Sequence, residues 1–299
     1  MMSSARLWDD QAAGLRAMVA RPACRSVSIN GGRGGAGATT VAIHLAAALA
    51  ERERAVLLLD EHTGNGNATQ RLRLSPPYDF EEALRREVTL ADVIVPAPGG
   101  FSLLPAAARP QVLARLNEAE AAWLAREFDV VSSDTDWLLL DTRPVTEPGV
   151  PSLSLAADDV VLVVSERAES LTDAYATIKL MASEYARTEF RILINRVRSA
   201  RDAGALFERL QQVASRYLGN RVKLRLIGFV PEDERLARAA RLGRTVFDAF
   251  PDAESAHAFR QLADAMLRWR RPAGAADSAA DFAYRLVESS RILADRLQR

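Results

Sequence analysis

A glycine-rich loop follows the first apolar run of this sequence, in the stretch Ser28-Ile29-Asn30-Gly31-Gly32-Arg33-Gly34-Gly35-Ala36-Gly37-Ala38-Thr39-Thr40. Val27 and Ile29 are the apolar positions of a short predicted strand, and a helical pattern starts near Thr39. A strand, a glycine loop and a helix in this order direct backbone N–H groups and the positive end of a helix dipole at a phosphate. The stretch therefore predicts a phosphate-binding loop.

The glycines fit two motifs at once. Segment 32–39 matches the P-loop pattern Gly-x4-Gly-Lys-Thr, except that Ala38 occupies the lysine position. Segment 32–37 also satisfies the dinucleotide-binding fingerprint Gly-x-Gly-x-x-Gly, and the acidic pair Asp60-Glu61 lies where a ribose-binding acid is expected. The loop by itself leaves both motifs open.

The totals of the sequence exclude several classes of protein. With 299 residues and 48% hydrophobic content, the chain can bury one large core or two modest ones. The 39 basic and 39 acidic residues balance, so we expect no direct binding of nucleic acid. Cys24 is the single cysteine, the N-terminus is polar, and no apolar run is long enough to span a bilayer. We therefore expect a cytoplasmic protein.

Strand-like and helix-like segments alternate along the chain, which predicts a parallel sheet covered on both faces. The buried-type strands 55–60 and 137–141 each end in an aspartate, Asp60 and Asp141. Ligands bind at the carboxyl ends of strands in such sheets, so both aspartates and the glycine loop should converge there. Carboxylates near a phosphate suit magnesium. We also expect one helix running from residue 110 toward 128 and a final helix over 277–298.

Several segments carry a resemblance to a known family. The family loop Lys-Gly-Gly-x-Gly-Lys-Thr-Thr corresponds to segment 33–40, segment 58–67 is similar to Leu-Leu-Asp-Ala-Asp-x-Gly-x-Ala-Asn, and Walker B corresponds to segment 139–142. Together they resemble the MinD/ParA class of P-loop ATPases, and within it the FlhG (FleN) flagellar number regulators. The resemblance implies a doubly wound, mostly parallel α/β sheet with helices on both faces. It favours the P-loop over the dinucleotide motif.

The N-terminal segment provides the most specific match. Asp10-Gln11-Ala12-x-x-Leu15-Arg16 is similar to the helix by which FlhG proteins engage the signal-recognition-type GTPase FlhF. The resemblance implies that these five residues bind FlhF and that Gln11 helps to position the attacking water in the partner's site. It also implies three parts: an N-terminal partner-binding helix (1–22), a MinD-like domain (23–270), and a linker with a C-terminal amphipathic helix (271–299).

The resemblance assigns the site residues. ATP or ADP with Mg²⁺ is the implied cofactor, with Thr39 and Asp141 holding the metal. Asp60, His62 and Asp141 are the implied catalytic residues, although His62 replaces the second acid of the family's Asp-x-Asp pair. The nucleotide-binding residues implied by the match are Gly32, Arg33, Gly34, Gly35, Ala36, Gly37, Ala38, Thr39, Thr40, Asn195 and Pro231.

The sequence departs from the family motifs at three positions implied in nucleotide binding or hydrolysis: Ala38 replaces the Walker lysine, Arg33 replaces the family's signature lysine, and His62 replaces an acid. The chain has only two lysines, Lys179 and Lys223, and neither lies in a segment that aligns with the loop. Losing one charge-assisted phosphate contact costs about 1.5–3 kcal/mol of binding. Losing the same contact in the transition state costs about 10²–10³ in rate. We therefore predict ATP hydrolysis that is very slow or absent.

The function implied is regulation of flagellar number, placement and assembly through FlhF, with a flagellar transcription activator or a switch-complex protein as further partners. The alternative from the enzyme class is an active, homodimerising ATPase switch, in which Arg33 and His62 compensate for the replaced residues. The third alternative is a dinucleotide-binding protein. The final helix has Phe282, Leu286, Leu293 and Leu297 on roughly one face and no net charge. Docking on the body, docking on a partner, and peripheral contact with the inner membrane at the cell pole all stay open for it.

Overall fold

A single eight-stranded sheet forms the centre of the protein. The computed structural model describes residues 24–32, 35–62, 66–106, 110–143, 152–272 and 274–297. The strands are β1 (Arg25–Gly31), β2 (Val56–Asp60), β3 (Val95–Ala97), β4 (Phe101–Pro105), β5 (Trp137–Thr142), β6 (Asp159–Val164), β7 (Glu189–Val197) and β8 (Lys223–Pro231). Their order is β3-β4-β2-β5-β1-β6-β7-β8, and only β3 runs antiparallel to its neighbour. This confirms the predicted doubly wound, mostly parallel fold.

Helices connect the strands. They are α1 (Ala38–Ala50), α2 (Ala68–Arg71), α3 (Phe80–Leu84), α4 (Leu90–Val93), α5 (Pro110–Ala114), α6 (Glu118–Ser132), α7 (Ser152–Ala156), α8 (Ala168–Tyr185), α9 (Ala200–Leu218), α10 (Glu234–Leu242), α11 (Val246–Ala249), α12 (Glu254–Met266) and α13 (Ala279–Leu297). The single helix expected over 110–128 is wrong. The chain forms α5 and α6 instead, because Asn117 and Glu120 make a capping box that starts a new helix.

Both faces of the sheet are covered, because successive strand residues point to opposite sides. Along β5, Leu139 joins the core beneath α1 and α12, whereas Leu138 and Leu140 join the core beneath α6 and α13. Along β6, Val160 and Leu162 pack with residues of α8 and α9 on that same second side. The glycine loop, which connects β1 to α1, lies at the carboxyl end of a strand that is packed on both faces.

The final helix, α13, packs on the body of the protein. Its apolar residues Phe282, Leu286 and Leu293 are buried, and the ring of Phe282 meets the ring of Phe128 of α6 edge-on at a centroid distance of 5.6 Å. The helix also contacts α5 and α7. Among the three alternatives for this helix, the structure shows docking on the body. None of the described helices is long and apolar enough to cross a membrane.

A cluster of buried charges closes the amino end of the central strands. The Asp159 carboxylate accepts hydrogen bonds from Arg25 Nε at 2.8 Å and Nη2 at 2.6 Å, and its other oxygen accepts one from Arg191 Nε at 2.9 Å. Arg25 also donates to the carbonyl of Trp269, and the Arg191 guanidinium stacks on the indole of Trp269 at 3.8 Å. The Asp159 carboxylate is therefore fully paired within the fold, by two guanidinium groups.

Candidate nucleotide-binding site

The glycine loop forms a cradle that admits no larger side chains at two points. Gly37, the residue before α1, has φ +91°, and a Cβ there would lie 2.6 Å from Asn195 Nδ2. A Cβ at Gly31 would lie 2.9 Å from the Cβ of Ala38. No side chain caps the start of α1, so its first N–H groups stay available for an anion. Glycine is thus required by both backbone conformation and close contact.

Two neighbouring cavities open beside the cradle. One, of about 150 Å³, lies over the loop and the start of α1. The other, of about 420 Å³, lies between the end of β7 and α10 and includes Pro231. The smaller cavity is lined mainly by residues of the glycine loop and the start of α1, the kind of backbone that binds a phosphate. The larger one adjoins it, since Arg71 and Arg196 line both.

Asp60 and Asp141 are side by side, because they pair in register on the neighbouring strands β2 and β5. The two differ in how they are bonded. Both Asp60 oxygens accept backbone hydrogen bonds, from His62 N at 3.0 Å and Ala68 N at 2.6 Å. Asp141 is fully buried, and neither of its oxygens has a hydrogen-bond partner among the described residues. Asp60 therefore fixes the following loop, whereas Asp141 is left for a ligand.

His62 stands beside this pair. Its Nε2 lies 3.4 Å from Asp141 Oδ1, and one ligand atom from each of Asp60, His62 and Asp141 falls within 4.8 Å of the others. Burial alone would lower the pKa of His62, but the Asp141 carboxylate raises it above its usual value. A protonated His62 therefore neutralises Asp141 in part, and a proton on His62 competes with a cation at this place.

Burial also shifts the carboxyl groups of this edge. Burial, followed by the charge of Asp141, raises the pKa of Asp60 to about 6. Burial raises the pKa of Glu61 to about 7, although the Arg143 guanidinium, 3.8 Å away, opposes the shift. The negative charge at this edge is therefore costly for the fold unless a cation balances it.

The residues present fit magnesium. Asp141 offers two buried oxygens that lack partners, and Thr39 places a buried hydroxyl in the first turn of α1. Oxygen atoms of this kind are the ligands that Mg²⁺ prefers, directly or through water. When bound, the ion would neutralise phosphate charge. Thr39 and Asp141 are the residues that would hold it, as the sequence predicts.

The structure brings most of the predicted site residues together. Those that line the smaller cavity are Gly32, Gly35, Ala36, Gly37, Ala38, Thr39 and His62. Thr40, Asn195 and Pro231 line the larger one. Asn195 also donates from Nδ2 to the carbonyl of Ala36 at 2.7 Å, which ties the end of β7 to the loop. Arg33 and Gly34 lie outside the described residues, as do Asp10, Gln11, Ala12, Leu15 and Arg16.

Sequence reasoning missed the two arginines that line these cavities. Arg71, at the end of α2, and Arg196, near the end of β7, line both cavities. Arg196 directly follows Asn195, which is the only signal that could have pointed to it. Arg71 lies 31 residues from Thr40, to whose hydroxyl it donates at 3.0 Å. Nothing in the motif spacing marks that contact.

Residues 27–246 match the family of the CobQ/CobB/MinD/ParA nucleotide binding domain. The chain belongs to this family. It is 35% identical over 262 residues to the antiactivator FleN of Pseudomonas aeruginosa. This match covers 88% of this chain and 93% of that relative. It is also 26% identical over 215 residues to the flagellum site-determining protein YlxH of Helicobacter pylori, with 72% of each chain covered.

Solved structures confirm the fold. The septum site-determining protein MinD of Pyrococcus horikoshii, complexed with Mg-ADP, superposes with a TM-score of 0.62 at 23% identity, covering 82% of this chain and 96% of that one. The MinC:MinD complex of Aquifex aeolicus gives 0.61 at 23% identity, covering 83% and 98%. Membership of this family supports the P-loop motif, and the predicted resemblance to the FlhG (FleN) group is confirmed.

Proposed function

We propose that this chain regulates flagellar number and placement as an FlhG-type factor, and that it hydrolyses ATP very slowly or not at all. Similarity over nearly the full length to the antiactivator FleN is the observation that carries the flagellar role. A second relative, YlxH, bears the name of a flagellum site-determining protein. The first name supports a flagellar transcription activator as a partner, and the second supports action at a defined place in the cell.

The cradle geometry supports the loss of hydrolysis. Ala38, where the family lysine is expected, is buried and ends in a methyl group that cannot reach a phosphate. Backbone N–H groups, Thr39 and Asp141 can still hold ATP or ADP with Mg²⁺. An ammonium group that stabilises the transferring phosphoryl group is missing, which costs about 10²–10³ in rate. In this proposal the site therefore still binds nucleotide but hydrolyses ATP very slowly or not at all.

FlhF is the proposed main partner, through Asp10, Gln11, Ala12, Leu15 and Arg16. In this role Gln11 orients the water that attacks the partner's nucleotide. A switch-complex protein is a further proposed partner. The chain acts in the cytoplasm near the cell pole, and its balanced overall charge gives no reason for direct contact with nucleic acid.

The test measures GTP hydrolysis by FlhF with and without the full chain. We expect stimulation by the unsubstituted chain, a loss of stimulation with Gln11→Ala, and no change with Gln211→Ala, whose side chain is exposed on α9. Flagellar counts by electron microscopy should also change in cells that lack the chain. Stimulation that is absent, or equal for both variants, would refute the partner role.

An active, homodimerising ATPase switch is the second candidate. His62 favours it, because its Nε2 keeps a polar group 3.4 Å from Asp141 where water would have to be oriented. In this candidate Arg33 reaches the nucleotide of the second copy. Light scattering of the chain with and without ATP decides: a dimer that Arg33→Ala abolishes supports the switch, and a monomer at saturating ATP argues against it.

A further inference from the structure

Two guanidinium groups line the cavity over the loop, in which Ala38 occupies the lysine position. Arg71 and Arg196 approach the cradle from different elements, and each lines both the 150 Å³ cavity over the loop and the 420 Å³ cavity beside it. Nη1 of Arg196 lies 3.5 Å from the carbonyl oxygen of Gly35. The two cations therefore flank the path that a phosphate chain would take from one cavity to the other.

The backbone is distorted to present Arg196. Its φ is +58°, a left-handed conformation that is strained for a non-glycine residue. The pairing of β7 with β8 also shifts register between Asn195 and Val197, which makes a bulge at this residue. Bulges and left-handed residues of this kind re-aim a side chain and are concentrated at binding sites. The end of β7 thus departs from regular geometry at Arg196, next to Asn195, which also contacts the loop.

Arg71 is held in place without being neutralised. It donates from Nη1 to the hydroxyl of Thr40 at 3.0 Å and from Nε to the carbonyl of Gly66. These partners are uncharged. Within the described part of the chain, no carboxylate lies within ion-pair distance of either Arg71 or Arg196. Oriented guanidinium groups that lack an internal anion are suited to an external one.

The geometry points to Arg71 and Arg196 as the residues that take over charge neutralisation of a nucleoside polyphosphate from the missing lysine. The polyphosphate lies over the loop N–H groups, with Arg196 above the loop and Arg71 at the passage to the nucleoside. A planar guanidinium donates to two phosphate oxygens at once, so two arginines can replace one ammonium in binding. Neither occupies the lysine position of the P-loop pattern, where Ala38 stands, so this arrangement supplies binding rather than hydrolysis.

Calorimetry with the full chain tests this inference, which rests on the nucleotide cradle of the proposed function. The probes are ATP, ADP, AMP and inorganic tripolyphosphate, each with Mg²⁺. We expect ATP to bind, AMP to bind much more weakly, and Arg71→Ala or Arg196→Ala each to weaken ATP about tenfold, the value of one charge-assisted contact. Affinity should also fall with added salt.

Controls separate charge at the cradle from charge in general. Arg198→Ala removes the same charge from an exposed position two residues further along the chain, and it should leave ATP affinity unchanged. Arg196→Lys keeps the charge and should recover part of the affinity. Thermal unfolding of each variant shows whether the fold is intact; for Arg71, which also ties Gly66 to Thr40, Arg71→Lys serves as the second variant.

Three results would overturn the inference. The first is no binding of ATP by the unsubstituted chain, and the second is an equal ATP affinity for the cradle variants and Arg198→Ala. The third is equal binding of ATP and tripolyphosphate, which would show that the site does not recognise the nucleoside. None of these results bears on stimulation of FlhF, which depends on Gln11. Conversely, a chain whose arginine variants lose ATP but which leaves FlhF unstimulated would uphold the inference and refute the partner role.

Discussion

Buried charges are bonded differently at the two ends of the central strands, called here the amino edge and the carboxyl edge of the sheet. At the amino edge, the Asp159 carboxylate accepts hydrogen bonds from the buried Arg25 and the half-buried Arg191. At the carboxyl edge, Asp141 is more deeply buried and has no hydrogen-bond partner among the described residues, although His62 Nε2 lies 3.4 Å from it. Satisfied charges stabilise a fold, whereas unsatisfied ones raise its energy until a ligand completes them. The difference supports the proposed nucleotide site at the carboxyl edge.

The largest expected effect comes from breaking the amino edge. Asp159→Ala leaves Arg25 and Arg191 without their carboxylate, so the free energy of unfolding should fall by about 3–5 kcal/mol. Glu189→Ala is the matched control, because its exposed ion pair with Lys223 is worth about 0–1 kcal/mol. Urea denaturation measures both. A loss below 1 kcal/mol for Asp159→Ala would contradict the description of this edge.

Glu61 provides a pH test at the carboxyl edge. Its pKa is raised to about 7, against an ordinary value of 4.5, so the folded state holds its proton more tightly than the unfolded state does. The stability that protonated Glu61 contributes is therefore fully present below about pH 4.5 and is lost as pH rises through about 7, a change on the order of 3 kcal/mol. Glu61→Gln should remove this pH dependence. Unfolding curves at pH 5 and pH 8 test this, and identical slopes for the two proteins would refute it.

A smaller effect of opposite sign is expected at Asp141. Asp141→Asn removes a buried charge that has no described hydrogen bond. Its ion pair with His62 Nε2 at 3.4 Å is weakest at alkaline pH, where His62 loses its proton, so the free energy of unfolding should rise by about 1 kcal/mol at pH 8 without Mg²⁺. The same variant should lose any stabilisation by Mg²⁺. Scanning calorimetry with and without the ion measures both. Strong destabilisation of the apo protein would place Asp141 with the satisfied charges of the other edge.

The smallest effect concerns the strained residue at the end of β7. Arg196→Gly relieves a left-handed backbone but adds freedom to the unfolded chain, so the two terms nearly cancel and leave a gain of about 0.5 kcal/mol. Arg198→Gly, at the neighbouring exposed position, lacks that relief and should be neutral or destabilising. Chemical denaturation compares the two. A loss at Arg196 equal to that at Arg198 would show that no strain is stored there.

Much of the fold could be predicted from local pattern. Apolar runs that end in Asp60 and Asp141 identify central parallel strands, and the glycine loop fixes where a phosphate can lie. The break between α5 and α6 was missed because the Asn117 cap is decided by a single pair of side chains. The surface on which the final helix packs could not be predicted either, because an apolar helix face does not identify its packing partner.

The candidate site could be predicted only where its residues belong to motifs. Ala38, Thr39 and Asp141 stand at fixed positions of the family pattern, so their convergence followed from strand order. Arg71 and Arg196 reach the cavity through a long-range hydrogen bond and a strand bulge. Both features depend on packing between distant segments, which no spacing in the sequence records.

Turnover of ATP tests the central claim most directly, namely that this cradle keeps its shape and its anion affinity but lacks catalytic power. The purified full chain and a lysine-bearing MinD relative would be assayed side by side at saturating Mg-ATP, with phosphate release as the readout. We predict a rate at least about 100-fold below that of the relative. Equal rates for the two proteins would contradict the account.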